Sequence, residues 1–192
     1  MRKIVVALLL VAAPAFAQSV WEIDPAHTSV QFSVRHMMVS NVRGQFTKVS
    51  GTVHADDKDL TRSTIEATID TGSIDTREAK RDEHLRSPDF LDVAKYPTMT
   101  FKSKKITKKG DGRYEVVGDL TLHGVTREVK LDVEGPSASV KDPRGGLRAG
   151  AQATTKLDRQ DFGITWSKSL DGGGVVVGDE IGVTIDAEGV KK

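Results

Sequence analysis

Apolar residues recur at every second position along most of this chain, and that period restricts the fold more than any other feature. Val30, Phe32 and Val34 share one parity, with Gln31, Ser33 and Arg35 between them. The same alternation holds in Ile65, Ala67 and Ile69, in Met99 and Phe101, and in the long run Tyr114, Val116, Gly118, Leu120 and Leu122. It continues through Val125, Val129, Leu131 and Val133, then Ala149, Ala151, Ala153 and Leu157, and ends with Ile181, Val183 and Ile185. A period of two places one apolar and one wet face on each strand. A wetted face is typical of antiparallel sheets. The count is roughly eight to ten strands, which suits a closed barrel or a sandwich, and periodicity alone does not separate the two.

Several details refine this pattern. Val42, Gly44 and Phe46 are even-numbered, whereas Val49, Gly51 and Val53 are odd, so a bulge near Thr47-Lys48 resets the register and bends the strand. His123-Gly124 and Lys109-Gly110-Asp111-Gly112 read as tight hairpin turns. One segment breaks the rhythm. Asp75 to Ser87 is charged, spaces Asp75 and Glu78 as a capping box, and is followed by Pro88, so it reads as the single helix. Its few apolar residues, chiefly Ala79 and Leu85, place it outside the core or across one barrel end. With so few apolar anchors, Asp75 to Asp92 is expected to be the most mobile ordered part, a gate whose Phe90 and Leu91 can insert. Gly172-Gly173-Gly174 reads as a loop before the last strand.

The N-terminus carries an address. Met1-Arg2-Lys3 is basic, Ile4 to Ala13 is an unbroken apolar run, and Ala15-Phe16-Ala17 supplies small residues around a cut. That order reads as a signal peptide over residues 1–17, with cleavage before Gln18. The run falls short of the 20 or so residues a membrane span needs. Residues 18–192 then form one domain, exported to the periplasm or, alternatively, beyond the cell. The chain has no Cys, so no disulfide supports the core. Losing Arg2 and Lys3 takes the net charge from +1 to −1, a balance that argues against a nucleic-acid partner.

Four stretches carry a family resemblance. They are Trp21-Glu22-Ile23-Asp24-Pro25-Ala26-His27-Thr28-Ser29-Val30-Gln31-Phe32, then Arg81-Asp82-Glu83-His84-Leu85-Arg86-Ser87-Pro88-Asp89-Phe90-Leu91-Asp92 with Tyr96-Pro97 and Phe101 after it. Gly118-Asp119-Leu120-Thr121-Leu122-His123-Gly124-Val125-Thr126 and Arg159-Gln160-Asp161-Phe162-Gly163 complete the set. In this order the chain resembles the YceI-like family, the polyisoprenoid-binding or lipid-binding YceI domain. The departure is mild: Phe90-Leu91 stands where the family often has two aromatics. The resemblance implies a lipocalin-like closed antiparallel β-barrel of about eight strands with one short helix, a size that can hold a ligand. It also implies a ligand with a long isoprenoid or acyl tail.

Inward parity and the resemblance together nominate cavity-lining residues: Phe32, Val34, Phe46, Phe90, Leu91, Met99, Phe101, Leu120, Leu122, Leu131, Ala151, Ala153 and Phe162. A filled core would use the same residues, but small side chains at Ala149, Ala151 and Ala153 leave volume that a solid barrel would fill. His36, Arg81 and His84 are candidates for polar contacts at the mouth, and Arg81 has an alternative role pinning the helix through charge-assisted bonds. None of His27, His36, His54, His84 and His123 stands at a metal-ligand spacing, so no metal is expected. No nucleophile elbow is present and no Ser is paired with a base, so no catalytic residue is assigned. Lys102, Lys104, Lys105, Lys108 and Lys109 read as a solvated strand face, with contact to a membrane surface as the alternative.

The sequence thus points to a periplasmic carrier, not an enzyme, that needs no cofactor and holds a polyisoprenoid such as a quinone or a polyprenyl precursor. The alternatives are a carrier of fatty acids or fatty amides, a hydrolase or isomerase using His84 or His36, and a filled β domain that acts through protein partners.

Overall fold

The computed structural model describes residues 18–192; the expected signal peptide and its cleavage site lie outside the described residues. The strands are β1 (Gln18–Ile23), β2 (Ser29–His36), β3 (Ser40–Phe46), β4 (Val49–Asp56), β5 (Thr64–Asp70) and β6 (Ile74–Asp75). One helix, α1 (Ala79–Arg86), follows. Then come β7 (Thr98–Gly110), β8 (Arg113–Leu122), β9 (Val125–Glu134), β10 (Val140–Lys141), β11 (Leu147–Asp158) and β12 (Val177–Lys191).

Pairing reduces these strands to eight staves. β1 and β2 lie end to end along β12, with Trp21 opposite Lys191 and His36 opposite Val177; residues 24–28 form a loop between them. β3 pairs with β2 and β4 with β1, so β3 and β4 make the second stave. β5 on β4 and β6 on β3 make the third. β7, β8, β9 and β11 follow in order, and β12 takes β11 on one edge and β1 and β2 on the other. The result is the expected closed, eight-stranded antiparallel barrel with one helix, wound as a simple meander.

The bend at Thr47-Lys48 has a local cause. Both amides leave the ladder for Ser73, Thr47 N donating to its carbonyl and Lys48 N to its hydroxyl oxygen. The side chains of β4 therefore resume with the opposite parity. A second irregularity lies between β9 and β11, which pair at only three positions, from Gln152–Glu134 to Thr154–Asp132. The short 3-10 turn Arg159–Phe162 fills the remaining seam, where Arg127 Nε donates to the Asp161 carbonyl and His123 Nδ1 to that of Phe162.

The helix is shorter than its charge pattern suggests, and Asp75 is not its cap. Asp75 is paired with Gln45 in β6, and its carboxylate accepts from Arg77 N, while Arg77 has a left-handed φ of 63° that no helix contains. Glu78 is the N-cap instead, accepting from the amides of Lys80 and Arg81. The segment is also better anchored than its sparse apolar content implies. Buried Asp82 accepts from the amide and hydroxyl of Thr76, and Arg86 donates to the carbonyls of Gly72 and Ile74. These anchors are charge-assisted hydrogen bonds, which hydropathy does not register. No helix among the described residues is long and apolar enough to cross a membrane.

Candidate functional site

The inward faces of the staves do not meet. They enclose an almost wholly apolar tunnel of about 370 Å³, many times what a single water needs. Protein interiors rarely leave voids larger than one water. Every residue expected to line a cavity is on this wall: Phe32, Val34, Phe46, Phe90, Leu91, Met99, Phe101, Leu120, Leu122, Leu131, Ala151, Ala153 and Phe162. Many of them, Phe32, Phe101 and Leu120 among them, face inward yet are only half-buried. Side chains that face a core and still meet solvent mark it as hollow.

Glycine helps to keep the lumen open. A Cβ on Gly44 would come 2.5 Å from the Phe32 ring, and one on Gly118 would come 2.5 Å from the Phe101 ring. Both aromatic rings therefore lie over a neighbouring strand's bare backbone, and their bulk lines the wall instead of crossing the tunnel. One end is filled. Ile74, Phe90, Leu91 and Ile164 form a buried cluster there, flanked by Leu85 of α1, Trp166 and Val177.

The polar candidates divide. His84 Nε2 lies 2.8 Å from Asp89 Oδ2, and its ring packs edge-on against Phe90 and Trp166, each with centroids 5.0 Å away. It thus stands directly behind the tunnel's closed end. Arg81 is not on the tunnel wall. Its guanidinium donates to Thr76 Oγ1 at 2.8 Å and to the Thr76 carbonyl at 2.9 Å, so it pins the helix instead of facing a ligand. His36 closes β2 opposite Ser40 and Val177 and is also off the wall. Among the described residues, no side-chain hydroxyl is hydrogen-bonded to the ring of His84 or His36.

Sequence reasoning missed Arg159, the one buried cation of the wall. It is 4% exposed and donates to the carbonyls of Gly178 (2.9 Å) and Ile164 (2.6 Å) and to Asp179 Oδ1 (2.8 Å). These bonds hold the seam turn against β12 and leave the guanidinium committed. Its motif was visible, but its role was not, because its acceptors are mainly main-chain carbonyls. Other missed wall residues, such as Val116, Val183 and Ile185, belong to the same alternating sets and were within reach of parity alone.

At the opposite end, Arg148 binds three carboxylates. It donates to Asp24 Oδ2 at 2.7 Å, to Asp142 Oδ2 at 2.9 Å and to Glu188 Oε1. The Arg148 hydrogen bond, assisted by His27, holds Asp24 far below the usual carboxylate range, and Asp142 is lowered chiefly by the same guanidinium. Asp24, His27 and Glu188 each place a ligand atom within 4.8 Å of the others, the spacing a metal ion needs. Arg148 already supplies the positive charge there, and a cation would have to displace it.

The comparisons with known proteins agree with this architecture. A family model described as the YceI-like domain matches residues 21–189. A UPF0312 protein of Vibrio parahaemolyticus is 42% identical over 159 residues, covering 83% of this chain and 84% of its own. A UPF0312 protein of Yersinia pestis is 40% identical over 161 residues, covering 83% and 82%. Among solved structures, a YCEI protein of Campylobacter jejuni superposes with a TM-score of 0.69 at 30% identity, covering 82% of this chain and 89% of that one. A polyisoprenoid binding domain from Saccharophagus degradans shares the fold at a TM-score of 0.65 and 15% identity, covering 90% and 98%.

Proposed function

The chain belongs to the YceI-like domain family, and from that premise we propose that it is a carrier for a long-tailed lipid, a polyisoprenoid such as a quinone or polyprenyl precursor, and not an enzyme. The observation that carries this reading is the hollow apolar tunnel inside a closed barrel. A tail threaded there gains roughly 0.8 kcal/mol per buried methylene, so ten carbons supply about 8 kcal/mol before the cost of ordering the chain. The wall's one buried cation is fully bonded, so no free charge in the tunnel selects a head group. The polar head stays outside the apolar wall. The description of the Saccharophagus domain as polyisoprenoid binding supports the branched tail.

The basic, apolar and small-residue order of residues 1–17 supports export to the periplasm. Intact-mass measurement of the exported protein is expected to give a chain starting at Gln18; a product keeping residues 1–17 in a membrane fraction would refute export by cleavage. The ligand is tested by mass spectrometry of an organic extract from protein purified out of its own cell envelope. A stoichiometric polyprenyl lipid is expected. Straight-chain acyl species would replace the isoprenoid with a fatty acid or amide, and an empty barrel that takes up neither in vitro would sink the carrier reading.

A further inference from the structure

Among the described residues, the longest run of exposed large apolar side chains lies at the tip of the β2–β3 hairpin. Met37, Met38 and Val39 are 43%, 52% and 77% exposed and consecutive. The backbone there gives no reason for them. Val39 N donates to the His36 carbonyl, and Met37 and Met38 between them both have left-handed φ, 49° and 61°. That is the type I′ turn, whose preferred residues are Asn-Gly. Two long side chains occupy positions that disfavour any Cβ, and both are exposed.

The surroundings identify what covers this tip. Arg35 and Arg43 project from β2 and β3, and Lys168 belongs to the next hairpin, whose Val176 carbonyl accepts from Met37 N. Arg35 folds over the turn and donates to the Met38 carbonyl at 2.7 Å. Among the described residues, none of these three cations is in a salt bridge. Four of the five lysines of β7 differ: Lys102 is paired with Glu66, Lys104 with Asp119 and Glu128, Lys108 with Asp111 and Lys109 with Glu115. Lys168 Nζ sits over the Trp166 ring, 5.9 Å from its centroid, and an apolar tip flanked by cations without carboxylate partners matches a bilayer interface, with an apolar layer below and phosphates above. The tip stands at the filled end of the barrel, since Val177, which flanks the buried cluster there, pairs with His36, the residue just before the tip.

We propose that Met37-Met38-Val39 is a docking point for an anionic lipid bilayer, with Arg35, Arg43 and Lys168 facing the head-group phosphates. The tip sets the barrel end near Val177 against the membrane. Its use in lipid transfer rests on the carrier reading, but the docking itself does not require a bound lipid.

The test is vesicle flotation of delipidated protein beginning at Gln18, a chain that holds every strand of the closed barrel. Vesicles of phosphatidylglycerol with phosphatidylethanolamine are compared with phosphatidylcholine alone. The parent is expected to float with the anionic vesicles and far less with the neutral ones. The double variant Met37→Asn, Met38→Gly is expected to lose about tenfold in partitioning, with a melting temperature at or above the parent's because Asn-Gly suits the turn. Val39→Asp, at the most exposed position of the tip, is a second variant that keeps the fold and is expected to show the same loss. Arg43→Glu is expected to remove the preference for anionic vesicles. Uptake of a polyprenyl lipid from detergent micelles is measured in parallel. Docking that persists while uptake fails would sink the carrier reading alone. Variants that float like the parent, a parent that floats with neither vesicle, or a parent dimer that the tip variants dissociate would overturn the proposal.

Discussion

Ala153→Trp separates a hollow barrel from a filled one with a single side chain. Ala153 lies midway along β11, between Val133 and Ile185, and its methyl faces the tunnel. In a filled core the added indole would cost about 1–3 kcal/mol in overpacking, a drop of roughly 2–12 °C in Tm for a domain of this size. In the tunnel described here the indole finds open apolar space. Burying about 150 Å² of it at 25 cal/mol per Å² is worth up to about 4 kcal/mol, so Tm is expected to hold or rise. The lipid loses what the indole takes. An indole occupies the length of roughly five methylenes, about 4 kcal/mol of tail burial and close to a thousandfold in affinity. Thermal melts and displacement of a fluorescent polyprenyl probe read the two effects separately. A variant that melts several degrees lower, or one that keeps the parent's affinity, refutes the tunnel as the tail site.

Three further outcomes follow from other parts of the wall. Gly44→Ala puts a methyl 2.5 Å from the Phe32 ring and 2.7 Å from the methyl of Thr76, the residue that anchors the helix; ordinary contact needs 3.5–4.0 Å, so the ring is driven about 1 Å toward the lumen, and probe titration should show weaker tail binding together with a lower Tm. Arg159→Met strips donors from the Gly178 and Ile164 carbonyls and from Asp179; each buried carbonyl left without its donor costs about 1–3 kcal/mol, and an unchanged denaturant midpoint would contradict the role given to Arg159. Arg148→Met acts through pH. Asp24 and Asp142 have lowered folded pKa values, so their contribution is complete above about pH 4, the ordinary carboxylate value, and is lost as pH falls through the depressed values. The variant should therefore melt lower at pH 7 but show a flatter decline in Tm below pH 4; parallel curves would remove Arg148 as the cause.

The sequence made the wall more legible than its supports. Parity is a local property, so Phe32, Met99, Leu120 and Ala153 can be assigned to one face from their neighbours alone. The bend at Thr47-Lys48 was legible for the same reason, since a parity change must appear wherever a strand loses register. What parity cannot see is contact between distant residues. Arg148 meets Asp24 across 124 positions, and Arg159 serves carbonyls whose chemistry is the same in every residue. The helix start was misjudged because Asp75 and Glu78 have capping-box spacing, while pairing with Gln45 commits Asp75 to the sheet. Arg81 was an ambiguous cation, and only the hydroxyl and carbonyl of Thr76 assign it to anchoring the helix.

The double pairing of β12 also sets an order of events in folding. Every other joint of the barrel links staves that follow one another in the chain, so each closes over a shorter stretch, the longest of these connections being the one from Asp70 to Thr98. Only the joint of β12 with β1 and β2 brings together residues as far apart as Trp21 and Lys191, and contacts of such separation form late. Until then the sheet is an open curl with two unpaired edges, a form prone to pair with other chains. The step that seals those edges is the same one that completes the tunnel. An incompletely closed chain is therefore at once sticky and unable to retain a tail, and a lipid present at that moment can be enclosed without ever passing through the finished mouth.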